Sequence, residues 1–254
     1  MAGNAVHAVT SNQESLYKNL DETVRKYIAT RFLRPIADHT RIAFESAKAF
    51  VISYYEKEGK SAPYSIILDS GCGTGESTLH LSKRFSGIPV IGIDKSAVRL
   101  TKAGNETQLA TANGSRENLQ VPANAFWIRA ELLDFWKLAL EEVQAGRWNI
   151  LHHAVFYPNP WPKESEAGRR FHLHPIFPTL LALSQSTELR TNWEIYAREF
   201  AEASRIVCDS AACQGKTARA KVLCESFNPE IPETAFERKY KEARQQLWRV
   251  IVNK

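Results

Sequence analysis

The segment LDSGCGTGEST, residues 68–78, carries Gly71, Gly73 and Gly75 at alternate positions, with Asp69 two residues ahead of the first. Glycine allows positive φ and lets a backbone come close to a ligand. A helix opening directly afterwards would add free N–H groups. Asp94 follows Gly75 by 19 residues, at the end of the apolar run IPVIGID. A carboxylate in that place accepts from ribose hydroxyls. Together these residues predict a site for a nucleoside-bearing ligand, with G-x-G-x-G spacing in place of the dinucleotide G-x-G-x-x-G. Cys72, between the glycines, reads as small loop filler and not as a nucleophile. A second segment, FYPNPWPK at 156–163, holds three prolines in eight residues. Such a segment cannot be the interior of a helix or of a central strand. It would present one amide, Asn159, and one indole, Trp161, on a stiff support, which suits a binding feature.

The elements that must position these residues alternate along the chain. Apolar runs predict strands at 65–71, 88–94, 125–132 and 147–156, and helical patterns fall between them at 75–85, 96–112 and 132–143. Strand alternating with helix predicts a parallel sheet covered on both faces. Downstream, a helix is expected near 175–184, a strand near 187–191 and a helix from 193 to about 203. The first 60 residues read as two helices, 14–33 and 37–55, broken at Pro35, with Ser11 and Glu14 as a capping box at the start. The expected organisation is a helical N-terminal extension over 1–60 and one α/β domain over 61–254.

Bulk properties set outer limits. A net charge of +5 and a pI near 9.0 permit a polyanionic partner without requiring one. The four cysteines show no C-x-x-C pair, so no metal site is expected. The first residues have no secretory pattern, and no run approaches the roughly 20 apolar residues of a membrane helix. The expected compartment is cytoplasmic and reducing, with no membrane partner.

Two resemblances give these residues sharper roles. The glycine loop with Asp69 resembles motif I of the class I S-adenosylmethionine-dependent methyltransferases. That implies a Rossmann-like, mostly parallel seven-stranded sheet with helices on both faces, and S-adenosyl-L-methionine as cofactor. On this reading Asp69 orders the loop and faces the cofactor's ammonium indirectly, while Gly71, Gly73, Gly75 and Asp94 hold it. Glu131 falls where such enzymes contact adenosine, or is a solvated loop carboxylate. PNPWPK (158–163) is similar to the P-D-P-W-P-K of the tRNA (guanine-N7)-methyltransferases. Arg169 and Arg170, Pro175, TNWEIYA (191–197) and TAFERKY (234–240) match further motifs of that family. The resemblance runs from about residue 65 to the C-terminus. It implies methyl transfer to guanine N7 in tRNA, chemistry that needs positioning more than a general base. Asn159, Asn192 and Arg170 would be catalytic. Trp161, Lys163, Arg169, Tyr196, Thr234 and Glu237 would bind the acceptor. Trp161 either packs on the base or anchors its loop, and the basic side chains either meet phosphates or form a solvated surface.

The chain also departs from that family. Asn159 and Asn192 stand where it has aspartates, ESEAG (164–168) replaces a basic stretch, and the usual Lys-Pro-Gly-Gly turn before the fifth strand is missing. An amide fits the donor edge of guanine poorly, and losing two negative charges withdraws support from a purine turning cationic. A divergent paralogue is expected. Its alternatives are a methyltransferase for another acceptor, a small molecule or an amino group, and a protein that binds S-adenosylmethionine or tRNA without turnover. Thr191 with Glu194 and Thr234 with Glu237 also fit plain capping boxes. Monomer and homodimer are both open.

Overall fold

A computed structural model describes residues 9–102, 121–210 and 220–254. In chain order its elements are α1 (Leu20–Ile28), α2 (Asp38–Glu56), β1 (Tyr64–Ser70), α3 (Glu76–Arg84), β2 (Val90–Asp94), β3 (Ala125–Arg129), α4 (Leu132–Gln144) and β4 (Trp148–Phe156). Two short 3-10 turns follow, then α5 (Phe177–Ala182), β5 (Ser184–Thr191), α6 (Glu194–Asp209), β6 (Lys221–Phe227), α7 (Ala235–Glu242) and β7 (Leu247–Asn253). The strand order is β3-β2-β1-β4-β5-β7-β6. The pairs β2–β3, β1–β2 and β1–β4 are parallel, and β7 is antiparallel to β5 and β6. This is the mostly parallel, Rossmann-like sheet of a class I methyltransferase, closed by one antiparallel hairpin. The chain divides into two compact units, Arg34–Ala154 and Met1–Leu33 with Val155–Lys254.

In the unit of Arg34–Ala154 the middles of β1 and β2 are apolar. Ile66, Ile67, Leu68, Val90, Ile91 and Ile93 are fully buried, as parallel strands covered on both faces must be. Asp69 pairs in register with Gly92. A side chain at Gly92 would start 2.3 Å from Thr78 Oγ1, so glycine lets α3 approach β2. On α2, Phe44, Ala47, Val51 and Tyr55 form the buried stripe, and the Phe44 ring meets Phe135 of α4 at 5.0 Å.

The other unit contains β5, β7 and β6 with α6, which buries Tyr196, Ala197, Phe200, Ala201 and Ala203. Only Leu183 separates α5 from β5, in line with the missing turn. The chain between 9 and 19 departs from expectation. The helix expected over 14–33 covers only Leu20–Ile28, and no capping box forms at Ser11. Ser11 Oγ accepts from Gln13 N and donates to the carbonyl of Pro162. Gln13 Nε2 and Tyr17 N donate to Glu199 Oε1 at 2.6 and 2.7 Å. Bonds to a distant carboxylate replace the first helical turns. The third strand stops at Arg129, short of the expected 132. The helix expected over 96–112 is present over 97–102, and the remainder lies outside the described residues.

Candidate active site

The residues expected to hold the cofactor lie at the ends of β1 and β2. Gly71, Gly73 and Gly75 have φ of 82°, 60° and 83°, a region costly for any residue with a Cβ. At Gly71 and Gly73 the space a side chain would enter is open, so the loop is an open cradle. Asp69 is buried, and its Oδ2 accepts from Ser77 Oγ at 2.6 Å and Thr78 Oγ1 at 2.7 Å. It ties the end of β1 to the first turn of α3. Asp94 is also buried. It accepts from Gly73 N at 3.1 Å and Ser96 N at 2.8 Å, and pairs with Arg99 at 3.2 Å. Two carboxylate oxygens offer about four acceptor directions, so capacity is left for a ribose hydroxyl. The Cys72 thiol is pushed well above its ordinary value by burial, with Asp69 and Asp94 adding to the effect. It stays protonated, consistent with filler. Glu131 does not end a strand: it is the N-cap of α4, half-exposed, with its N–H donated to Thr40 Oγ1.

The residues expected to meet the acceptor begin where β4 ends. Tyr157 and Trp161 have φ of 51° and 45°. Non-glycine residues held there cost on the order of 1 kcal/mol or more each and concentrate at functional sites. Asn159 is exposed, and its Oδ1 accepts from Trp161 N at 3.3 Å. The indole of Trp161 is half-exposed with the Arg169 guanidinium 4.1 Å above its centroid, and Arg169 also pairs with Glu166 at 3.1 Å. Lys163 is exposed beside them. Asn192 is half-exposed after β5, donating to Gln245 Oε1 at 3.1 Å.

Three expected site residues, Arg170, Tyr196 and Glu237, are buried. Arg170 is wholly buried and meets neither solvent nor phosphate. It donates to Trp161 O at 2.9 and 3.2 Å and pairs with Glu199 at 2.7 Å, so it holds the loop from beneath. Tyr196 is buried, its hydroxyl accepting from Phe171 N and its ring edge-on to His172 at 4.6 Å. Glu237 is fully buried and accepts from Tyr157 Oη, Arg190 Nη1 and Glu233 N at 3.0, 2.9 and 2.6 Å. Thr234 caps α7 by accepting from Glu237 N at 3.0 Å, the plain capping role. In each case a charged or hydroxyl group found an internal partner, and Arg170 and Glu237 hold the loop itself through Trp161 O and Tyr157 Oη.

Sequence reasoning overlooked those partners. Glu199 joins Arg170, His172 and Gln13. Arg190 joins Glu188 and Glu237. Their spacings carry no local signal. Only the rule that buried charges must be paired would have found them.

Fold, glycine cradle and buried acidic β2 terminus define a class I methyltransferase, whose methyl donor is S-adenosylmethionine. The family model Methyltransf_4, described as "Putative methyltransferase", matches residues 63–250, and the chain belongs to that family. It is a divergent relative of the tRNA (guanine-N7)-methyltransferases. It is 27% identical over 188 residues to the tRNA (guanine-N(7)-)-methyltransferase of Neisseria meningitidis serogroup C, covering 73% of this chain and 70% of that one. The same-named protein of Mycobacterium avium is 34% identical over 113 residues, 44% of this chain and 37% of that one. The trans-aconitate 2-methyltransferase of Deinococcus radiodurans is 41% identical over 64 residues, 25% of this chain and 24% of that one. Matches to the last two thus span well under half of those relatives. An antibiotic-related methyltransferase structure aligns with a TM-score of 0.50 at 11% identity, covering 83% of this chain and 94% of that one, a likeness of fold. Among the described residues no helix is long and apolar enough to cross a membrane.

Proposed function

We propose that this protein methylates N7 of a guanine in tRNA, and works in the cytoplasm where that substrate is found. The observation that carries the reading is the stiff Pro158–Lys163 loop with its exposed amide and its Trp161–Arg169 stack. Guanine N7 has an in-plane lone pair, so the reaction needs no strong general base. S-adenosylmethionine, when bound, supplies an electrophilic methyl group. The chain's own residues must then orient the base. The Trp161 face not covered by Arg169 suits an unstacked purine, and Arg169 and the exposed Lys163 would meet the backbone. Arg170 and Glu199 fix the carbonyl of Trp161 and so fix the loop.

A second reading is transfer to an acceptor that is not RNA. It is favoured by Glu164 and Glu166, which follow Lys163 directly and repel phosphate. One assay separates the two. The protein is incubated with methyl-labelled S-adenosylmethionine and bulk tRNA lacking N7-methylguanine, and the labelled nucleoside is identified after digestion. N7-methylguanosine is the expected product. No label in RNA, with cofactor binding shown separately by equilibrium dialysis, overturns the proposal in favour of another acceptor or of binding without turnover.

A further inference from the structure

The acceptor loop opens with a residue that the proposed chemistry does not use. Tyr157 is held at a φ of 51°, and its ring joins a surface cluster. Its centroid lies 5.7 Å from Tyr240 and 6.4 Å from Phe236, and those two rings are 6.2 Å apart with 22° between their planes. Phe236 and Tyr240 sit four residues apart on α7, on one side of the helix. Phe236 is 52% exposed, although an aromatic ring is normally withdrawn from water. The cluster is fixed from below, since the Tyr157 hydroxyl donates to the buried Glu237, which Arg190 neutralises. Thr234 caps the helix that carries the other two rings. The exposed charged side chains of residues 235–245 are Arg238, Lys239, Lys241, Glu242 and Arg244. Lys241 is engaged with the carbonyls of Pro229 and Glu230. Lys239 lies three residues from Phe236, on its side of the helix.

The Phe236 and Tyr240 rings are near-parallel, and Tyr157 is tilted to them by 32° and 44°. Clustered aromatic faces beside exposed cations are the two parts of a single-strand nucleic-acid site, rings on which bases stack and charges that follow the backbone. We infer that Tyr157, Phe236 and Tyr240, with Lys239, form a stacking platform for an unpaired nucleotide of the RNA substrate, distinct from the methylated guanine. This rests on the RNA reading above and deepens it. The platform starts two residues before Asn159, so an RNA strand leaving the acceptor loop meets it.

The test is binding of fluorescently labelled tRNA and of a short single-stranded RNA, measured by anisotropy across a salt series. Phe236→Ala is expected to weaken binding roughly 5-fold or more with the salt slope unchanged. Phe236→Tyr keeps a ring and should retain affinity. Lys239→Gln should lower the salt slope by about one. Binding of S-adenosylmethionine, whose residues lie in Arg34–Ala154, should not change in any of them. Wild-type affinity in Phe236→Ala overturns the platform while leaving guanine methylation intact. RNA bound through Phe236 without N7-methylguanosine formation keeps the platform and removes only the reaction. A wild-type protein that binds no RNA overturns both, and the exposed ring is then a contact for another protein.

Discussion

Asn159 and Asn192 carry the least settled chemistry in the molecule. Each stands where the related family has an aspartate, and each is accessible, unlike Arg170, Tyr196 and Glu237. N7 methylation leaves a positive charge on the purine, and a carboxylate nearby would stabilise it. The Oδ1 of Asn159 accepts one long bond from Trp161 N, a bond that an aspartate oxygen can also accept. Asn192 would lose its donation to Gln245, a small cost for a half-exposed pair. The double change Asn159→Asp with Asn192→Asp is therefore expected to raise tRNA guanine methylation about tenfold, equivalent to about 1.4 kcal/mol of barrier. Single-turnover rates at saturating cofactor measure it. An unchanged rate with normal cofactor affinity would mean that these positions do not govern the charge at N7. The irregular course of the two loops was legible because prolines and glycines dictate local backbone. The burial of Arg170 and Glu237 was not, since an arginine or glutamate in a polar stretch looks solvated until its partner, 29 or 47 residues away, is known.

At the scale of elements, strands buried on both faces announce themselves as apolar runs, so β1, β2 and β4 were readable. β6 was not, because KVLCESF is a half-exposed edge strand with little apolar contrast. Residues 14–19 were misread as helix because Gln13 Nε2 and Tyr17 N donate to Glu199 on α6. That carboxylate also receives His172 Nε2 at 2.8 Å and Arg170 Nη1 at 2.7 Å. Burial depresses the affinity of His172 for a proton, Arg170 adds to this, and Glu199 opposes it; the net direction is down. Burial works to raise Glu199, but His172, Arg170 and Gln13 together outweigh it and hold its carboxyl low. Neutral His172 thus donates to an ionised Glu199 balanced by Arg170. Both shifts give the same sign. Below about pH 6.5, the ordinary histidine value, the unfolded chain takes up a proton that folded His172 refuses, so stability falls with pH. Glu199 adds a second loss below the ordinary glutamate range, as pH drops through its lowered value. Melting temperature should be flat above pH 7 and decline below about 6.5. His172→Asn, with a lower baseline, should flatten the decline between about pH 6.5 and 5. An unaltered decline in that variant would place the acid-labile group elsewhere.

For the molecule as a whole, a net charge of +5 is modest for the RNA substrate proposed above, so on that proposal shape and stacking must supply what charge does not. The expected helical extension over 1–60 leaves α1 and α2 in different compact units, because Tyr17 and Gln13 bond to Glu199 whereas Arg34 and Ala37 N bond to Asp134. Those long-range choices have no periodic signature. The residues proposed to hold the cofactor all lie within Arg34–Ala154, and the melting of the whole chain would report on them through linkage. A ligand that binds only the folded state at about 100 times its Kd contributes about 2.7 kcal/mol, or roughly 5–10 °C for a chain of this size. S-adenosylhomocysteine, which cannot react, should raise the melting temperature by that amount. Asp94→Asn removes the buried carboxylate that joins Gly73, Ser96 and Arg99. Gly73→Ala puts a side chain on a residue with φ of 60°. A tenfold weaker site at the same ligand concentration roughly halves the shift. Each variant, compared with its own ligand-free baseline, should show at least that reduction. A full-sized shift in both would mean that the ligand is held without the glycine loop, and the assignment of the cradle would fall.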